Sequence, residues 1–315
     1  MSFSQVAKNE ICRIAGQDKC CQVAELSALI KVCGTISING NHNIGFRITT
    51  ENPAIARRIF SLLKNCFGIN PDVLIKRNKQ LKKNNIYMLV VTNDRGSVKI
   101  LQESGVLADN SSGISIIYGI KKSLIEKDCC KRAYIRGTFL GGGSVTNPEK
   151  TYHLEFVNHT EEHAIDLSNL INSFELNSKV IQRKNSYVVY LKEGEQIVDL
   201  LNIIGAHKSL LNLENVRIYK EMRNNVNRLV NCETANLNKT VNAAVRQLEC
   251  IKYIRDTIGL KKLPVGLRQV AEARLNNPDS SLKELGEMLD PPVGKSGVNH
   301  RLRKIEQFAD ELREK

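Results

Sequence analysis

Tryptophan is absent from this 315-residue chain and aromatic residues make up only 5% of it, which leaves little for a binding mode that stacks single-stranded bases on rings. No uninterrupted apolar run reaches the roughly 18–20 residues of a membrane helix. The opening Met1–Glu10 also lacks the apolar core of a secretory leader, so a cytoplasmic chain with no membrane partner is expected. None of the nine cysteines falls in a Cys-x-x-Cys pair. Cys20-Cys21 and Cys129-Cys130 are adjacent, and neighbouring cysteines rarely bridge each other. Reduced, mostly buried thiols are therefore expected, with neither a disulfide framework nor a zinc site. Acid is scarce as well: 33 Asp and Glu stand against 46 Lys and Arg, a formal net charge of +13. That balance suits a polyanionic partner, because displacing counterions from phosphates favours association.

What is present is enough for folded domains. Hydrophobic residues make up 42% of the chain, and its length predicts two or three domains. Two stretches read as the same glycine-ended helix, Leu26-Ser27-Ala28-Leu29-Ile30-Lys31-Val32-Cys33-Gly34-Thr35-Ile36 and Ile135-Arg136-Gly137-Thr138-Phe139-Leu140-Gly141-Gly142-Gly143-Ser144-Val145. Gly34 and Gly143 lie 109 residues apart, which predicts a duplicated unit of about a hundred residues.

The segments after each motif follow the same order. Strands are predicted at Thr35–Asn39 and Ile44–Thr50, a helix opening at Asn52-Pro53, a hairpin of Val73–Lys76 and Ile86–Val91, and a helix near Val98–Glu103. The second unit offers strands at Ser144–Thr146 and Tyr152–Val157 and a helix from Thr160. A hairpin of Lys179–Arg183 and Tyr187–Leu191 and a helix at Gln196–Leu201 complete it. The organisation expected is a first repeat over 1–115, a second over 116–222, a polar linker over 223–240 and an all-helical domain over 241–315. In that last domain Gly259 should end one helix and Pro264 should stand in the first turn of the next.

Ser281-Leu282-Lys283-Glu284 has the residues of a capping box, and Asp290-Pro291-Pro292 should stop the short helix it starts. Ser296 is then expected to cap a second helix with Val298, Leu302, Ile305, Ala309 and Leu312 inward. Its outward side would carry Asn299, His300, Arg301, Arg303 and Lys304, inside the acid-free run Lys295–Lys304. Two readings stand together: a recognition helix that presents its first turns to a DNA groove, or an ordinary helical pair with a solvated face. The residues expected to meet DNA are Ser281 and Lys283 on the first helix, and Lys295, Ser296, Gly297, Asn299, His300, Arg301, Arg303 and Lys304 on the second. Gly294-Lys295-Ser296 imitates the end of a phosphate-binding loop, but Leu289 stands where that loop needs its earlier glycine.

The segment Arg47–Lys99 holds eleven Lys and Arg against Glu51, Asp72 and Asp94. Its cluster Lys76-Arg77-Asn78-Lys79-Gln80-Leu81-Lys82-Lys83 reads either as a solvated hairpin tip or as a phosphate contact. A second DNA surface of Arg47, Lys76, Arg77, Lys79, Lys82 and Lys83 is one outcome. His159 and His163 have a spacing that can hold a metal, but no third ligand is evident and helix-start chemistry explains them better. No cofactor, metal or small-molecule substrate is expected.

The two glycine-ended helices resemble those of LAGLIDADG homing endonucleases. The resemblance implies an α+β fold: a duplicated αββαββα saddle in which two such helices pack side by side. In that family an acid just before each terminal glycine binds Mg²⁺. Laid on this chain, those positions fall on Cys33 and Gly142, and the earlier acidic positions on Lys31 and Leu140. A thiol is too soft for Mg²⁺ and glycine has no side chain, so helices kept for packing are favoured over cleavage. Metal-dependent cleavage through other ligands is the rival.

The whole chain resembles the WhiA family. Beside the degenerate motifs, the resemblance is carried by Asn227-Arg228-Leu229-Val230-Asn231-Cys232-Glu233-Thr234-Ala235-Asn236-Leu237-Asn238-Lys239-Thr240 and Lys295-Ser296-Gly297-Val298-Asn299-His300-Arg301-Leu302-Arg303-Lys304. It implies a non-enzymatic, nucleoid-associated regulator that binds double-stranded DNA and is linked to sporulation, cell division and chromosome segregation. The C-terminal helices, similar to promoter-reading domains of sigma factors, would read DNA through a helix-turn-helix. The saddle would add DNA contacts or bind other transcription or division proteins.

Overall fold

The computed structural model describes residues 1–39, 43–77, 85–110 and 113–314. They form two compact units, Met1–Lys220 and Glu221–Lys315.

The first unit opens with α1 (Phe3–Ile11), whose N-terminus is capped by the Ser2 hydroxyl accepting from the Gln5 N–H. Then come α2 (Lys19–Cys33), β1 (Gly34–Asn39), β2 (Asn43–Thr50), α3 (Pro53–Phe67), β3 (Asp72–Arg77), β4 (Asn85–Val91) and α4 (Ser97–Glu103). A hairpin of β5 (Leu107–Asn110) and β6 (Gly113–Ile116) leads to the repetition: α5 (Asp128–Gly142), β7 (Gly143–Val145), β8 (Leu154–Asn158), α6 (Glu161–Asn172), β9 (Lys179–Arg183), β10 (Ser186–Leu191) and α7 (Gly194–Ile204). The expected helix-strand-strand-helix-strand-strand-helix order holds in both halves. Their sheets share one topology, β1-β2-β4-β3 and β7-β8-β10-β9, antiparallel at every pairing.

Local chemistry sets the element ends. Asn52 Oδ1 accepts from the Ala54 N–H at 2.8 Å to start α3, and Gly68 ends it in the left-handed conformation that only glycine adopts without strain. Alternation along β2 turns Ile44, Phe46 and Ile48 into the core, and β8 does the same with Leu154 and Phe156.

At the centre, α2 and α5 are buried on nearly every side and touch through their backbones. A Cβ on Gly137 would collide with the Glu25 carbonyl oxygen and stand 2.9 Å from the Ala28 Cβ. One ionic cluster sits in this interior. The fully buried Glu25 carboxylate accepts from Arg58 at 2.7 and 2.9 Å and from Arg136 at 3.0 Å. Arg58 also donates to the Ile14 carbonyl and to Gln17.

The long α8 (His207–Thr257) starts in the first unit, where the Glu10 carboxylate accepts from the N–H groups of Lys208 and Ser209 and from the Ser209 hydroxyl. The linker expected over 223–240 is corrected by this helix: those residues are helical, and exposed throughout. Their asparagines lower helix propensity, but no proline or glycine lies between His207 and Thr257 to break the run. The second unit is all-α, built from the end of α8 with α9 (Val265–Asn276), α10 (Leu282–Glu287) and α11 (Lys295–Arg313). Gly259, at φ +80°, follows the end of α8 as expected. Pro264 is the N-cap of α9 rather than a first-turn residue, its ψ of 145° being extended.

Candidate nucleic-acid interface

The helix pair α10–α11 is held from three directions. The capping box at Ser281 forms in full, the hydroxyl accepting from the Glu284 N–H and the Glu284 carboxylate from the Ser281 N–H. Just before it, the buried Arg274 of α9 donates to the carbonyls of Ser280 at 2.6 Å and Pro278 at 3.3 Å, and burial lowers its pKa. After α10 the chain passes through a cis Asp290-Pro291 bond, and the Val293 N–H returns to the Gly286 carbonyl at 2.9 Å. A Cβ at Gly286 would collide with the Val293 carbonyl, so only glycine permits this return.

On α11, Val298, Leu302, Ile305 and Ala309 are 0–1% exposed and pack with Val270, Ala271, Leu285 and the end of α8. Leu312 is half-buried against the same cluster. Burying that stripe fixes which side faces out. Ser296, His300, Arg303 and Gln307 recur at helical spacing on the opposite side, all exposed, with Lys295 and Lys304 exposed beside them. Among the described residues no ion pair engages Lys295, Arg303 or Lys304, whereas Lys283 of α10 stands 3.9 Å from Glu287.

Two expectations change. Ser296 is not the cap: α11 begins at Lys295, and Gly294 holds the extended cap position with no side chain to accept a bond. The first-turn N–H groups of α11 are thus left for an outside acceptor, with no acid in that turn. Arg301 is not fully presented either. It is half-buried, and its guanidinium donates to the Gly266 carbonyl of α9 at 3.4 Å. Asn299 and Gly297 are half-buried, and Ser281 and Lys283 are exposed. Gln307 extends the outward stripe beyond the run that basic residues mark. The helical period alone could have found it.

Of the other expected surface, the structure describes Arg47, Lys76 and Arg77. Strand register places Arg47, opposite Val90, and Lys76, opposite Ile86, on the outer face of the first sheet with Leu74 and Met88. Arg77 falls on the opposite parity, and Asp72 on the outer face pairs with Arg95 at 2.9 Å. Lys79, Lys82 and Lys83 lie outside the described residues.

At the glycine ends of α2 and α5, no hard-cation pair forms from the aligned positions. The Cys33 thiol donates to the Leu29 carbonyl at 3.1 Å, and burial pushes its pKa to about 12. A Cβ on Gly142 would come within 2.6 Å of Val32 Cγ1 and 2.7 Å of the Val157 carbonyl oxygen, so this position has no room for a carboxylate. Lys31, in the earlier acidic position, donates to the Ile117 carbonyl at 2.6 Å. A neutral thiol and a crowded glycine do not fit Mg²⁺.

The two histidines are structural. Buried His163 uses both ring nitrogens, toward Asn158 Oδ1 at 2.9 Å and the Tyr134 hydroxyl at 2.8 Å, and His159 meets the Val32 carbonyl at 3.2 Å. Burial, with Lys31 and His159 nearby, lowers the His163 pKa from 6.5 to about 3. An unfolded chain therefore takes up a proton between these values that the folded chain refuses. Stability should be complete above pH 6.5 and fall as pH drops toward 3, by at most about 1.4 kcal/mol per pH unit from this group. Urea unfolding between pH 4 and 7 checks it. A His163→Asn variant should lose that part of the slope, and an unchanged slope would place the titration elsewhere.

A duplicated LAGLIDADG-like scaffold without its metal-binding acids, on one chain with a helix-turn-helix domain, is the class these features define. Family descriptions match in the same order: the WhiA N-terminal LAGLIDADG-like domain over residues 19–107, the WhiA LAGLIDADG-like domain over 131–223 and the WhiA C-terminal HTH domain over 226–309. The chain is 64% identical over 314 residues to a probable cell division protein WhiA of Clostridium botulinum (strain Hall), covering 100% of this chain and 99% of that one. A protein of the same name from Clostridium beijerinckii is 62% identical over 313 residues, with 99% of each covered. The solved full-length DUF199/WhiA from Thermatoga maritima is similar with a TM-score of 0.60, at 25% identity and 99% coverage of both chains. The chain belongs to the WhiA family.

Proposed function

We propose that this chain is a sequence-preferring binder of duplex DNA that regulates transcription and does not cut its target. The observation that carries the reading is α11: its inner face is locked into the core, and its outer stripe and uncapped N-terminus present unpaired bases without acids. Arg303, His300 and Gln307 would approach base edges, while Lys295, Lys304 and the first-turn N–H groups would hold phosphates. Arg301 would act mainly by bracing α11 on α9. The names of the relatives support a role in cell division. Sporulation, chromosome segregation and a place on the nucleoid extend that reading.

The test is fluorescence anisotropy with a duplex selected from a random-sequence pool, over a range of salt. Arg303→Ala/Lys304→Ala should weaken binding about tenfold or more at physiological salt and lower the salt slope by about 1, the share of the Lys304 phosphate contact. Unchanged affinity and slope would remove α11 from the interface. The same preparation should leave plasmid intact with Mg²⁺ or Mn²⁺, and EDTA-sensitive nicking that follows the protein would sink the non-enzymatic reading.

A second reading concerns the first sheet. Its outer face exposes Leu74 beside Met88 and Val90, with Arg47 and Lys76 the bases that share it. This apolar surface favours a protein contact over a second DNA surface, so Arg47→Ala/Lys76→Ala should change DNA affinity far less than the α11 pair.

A further inference from the structure

Cys20 and Cys21 are the second and third residues of α2, and Cys129 and Cys130 are the second and third of α5. Read singly, each pair says little. The two pairs are offset by the same 109 residues that separate Gly34 from Gly143, and pairing of α2 with α5 brings them together. All four sulfurs lie within 4.8 Å of one another, and Cys21 Sγ and Cys130 Sγ are 3.9 Å apart. Chain-adjacent cysteines with no Cys-x-x-Cys gave no sign of this, and of the thiols expected to be reduced and mostly buried, Cys20 and Cys129 are free but exposed.

Packing does not account for the cluster. Cys21 and Cys130 are buried, but Cys20 and Cys129 are exposed, where a thiol fills no space in the core. None of the four is bridged. A tetrahedral thiolate site with metal–sulfur bonds of about 2.3 Å has its sulfurs about 3.8 Å apart. Cys21 and Cys130 already have about that separation, and no pair has to close by more than about 1 Å. Burial raises the pKa of the Cys21 and Cys130 thiols, so the sulfurs stay protonated until a cation binds and takes the place of their protons. Both pairs sit in the first turn of a helix, where N–H groups and the helix dipole stabilise thiolates. α2 carries no acid in its first turn, and the acid of α5, Asp128, is paired with Lys131 at 2.9 Å.

We propose that Cys20, Cys21, Cys129 and Cys130 form a tetrathiolate site for Zn²⁺ that joins the two repeats at the N-terminal ends of their paired helices. Four sulfur ligands and no oxygen exclude Mg²⁺ and Ca²⁺ and suit a borderline-soft, tetrahedral cation. Binding one Zn²⁺ forms four Zn–S bonds and releases the four S–H protons to the buffer; no oxidation occurs. The cysteines stand 12–13 residues before Cys33 and Gly142, so this site lies about 19 Å along the pair from the glycine ends where the endonuclease-like acids are missing. It would be a structural metal at the opposite end of the same two helices, and it does not depend on the DNA-binding reading.

The experiment uses the full-length chain, reduced, stripped with a chelator and titrated with Co²⁺, then with Zn²⁺. One equivalent of Co²⁺ per chain should bind with sulfur-to-cobalt charge transfer in the ultraviolet and the visible bands of tetrahedral coordination. Zn²⁺ should displace it and protect four thiols from alkylation. Cys20→Ser/Cys129→Ser should lose the charge-transfer bands and weaken metal binding at least 100-fold, while Cys232→Ser, exposed on α8, should behave as the parent. Should the double variant fail to fold, the spectrum, stoichiometry and thiol protection of the parent still decide. An octahedral cobalt spectrum, no uptake, or four thiols as reactive with Zn²⁺ as without would each overturn the proposal. So would a Cys21–Cys130 disulfide that persists in reductant.

Discussion

Glu25→Ala should lower the stability of the first unit by about 3–5 kcal/mol, the usual range when one partner of a buried ion pair is removed. The carboxylate is fully buried and answers two guanidinium groups, one from α3 and one from α5. Deleting it leaves two positive charges in the interior with nothing to oppose them. Removing all three charges together, as Glu25→Met with Arg58→Met and Arg136→Met, should recover a large part of the loss, because apolar groups of similar volume do not carry the desolvation penalty. Recovery will be incomplete, since Arg58 also serves the Ile14 carbonyl. Urea unfolding followed by circular dichroism measures both. If the single variant lost less than about 1 kcal/mol, water would have to reach the cluster.

Gly137→Val should be at least as damaging as ordinary overpacking, about 3 kcal/mol or more. The obstacle is the backbone carbonyl of Glu25, which cannot rotate away as a side chain can. Relief would require α2 and α5 to move apart, opening contacts along both helices. Gly141→Ala provides the graded comparison: its Cβ would stand 3.2 Å from Val32 and 3.3 Å from the Cys33 sulfur, which can give by tenths of an ångström. It should cost about 1 kcal/mol. Thermal melts of the three proteins should rank parent, Gly141→Ala, Gly137→Val. A Gly137→Val protein that melts with the parent would contradict backbone contact between the helices.

Much of the fold was legible in the sequence because each segment announced itself locally. Asn52-Pro53, Gly259 and the strand run Ile44–Thr50 need no tertiary knowledge, and the 109-residue offset carried the first pattern onto the second. What failed depended on contacts made at a distance. The β5–β6 hairpin is short and follows no repeat. Residues 223–240 read as a linker because polarity was taken for extension, although no helix breaker was present. The inner face of α11 was legible from period alone, whereas the partner of Arg301 was not, because Gly266 is far from it in sequence. The cysteine cluster was written in the same offset as the glycines and was missed because each adjacent pair was weighed by itself.

Val32 closes the position that an acid would need. It fills the space beside Gly142, so aspartate arriving there by a single substitution would meet a methyl group before it could meet a cation. A smaller residue at 32 would open a hole between α2 and α5 and still leave the Val157 carbonyl oxygen 2.7 Å from the new Cβ. An acid at this position thus needs more than one change, and the separate steps are each harmful. The scaffold is held to its present work by how tightly it is filled, as well as by the acids it lacks.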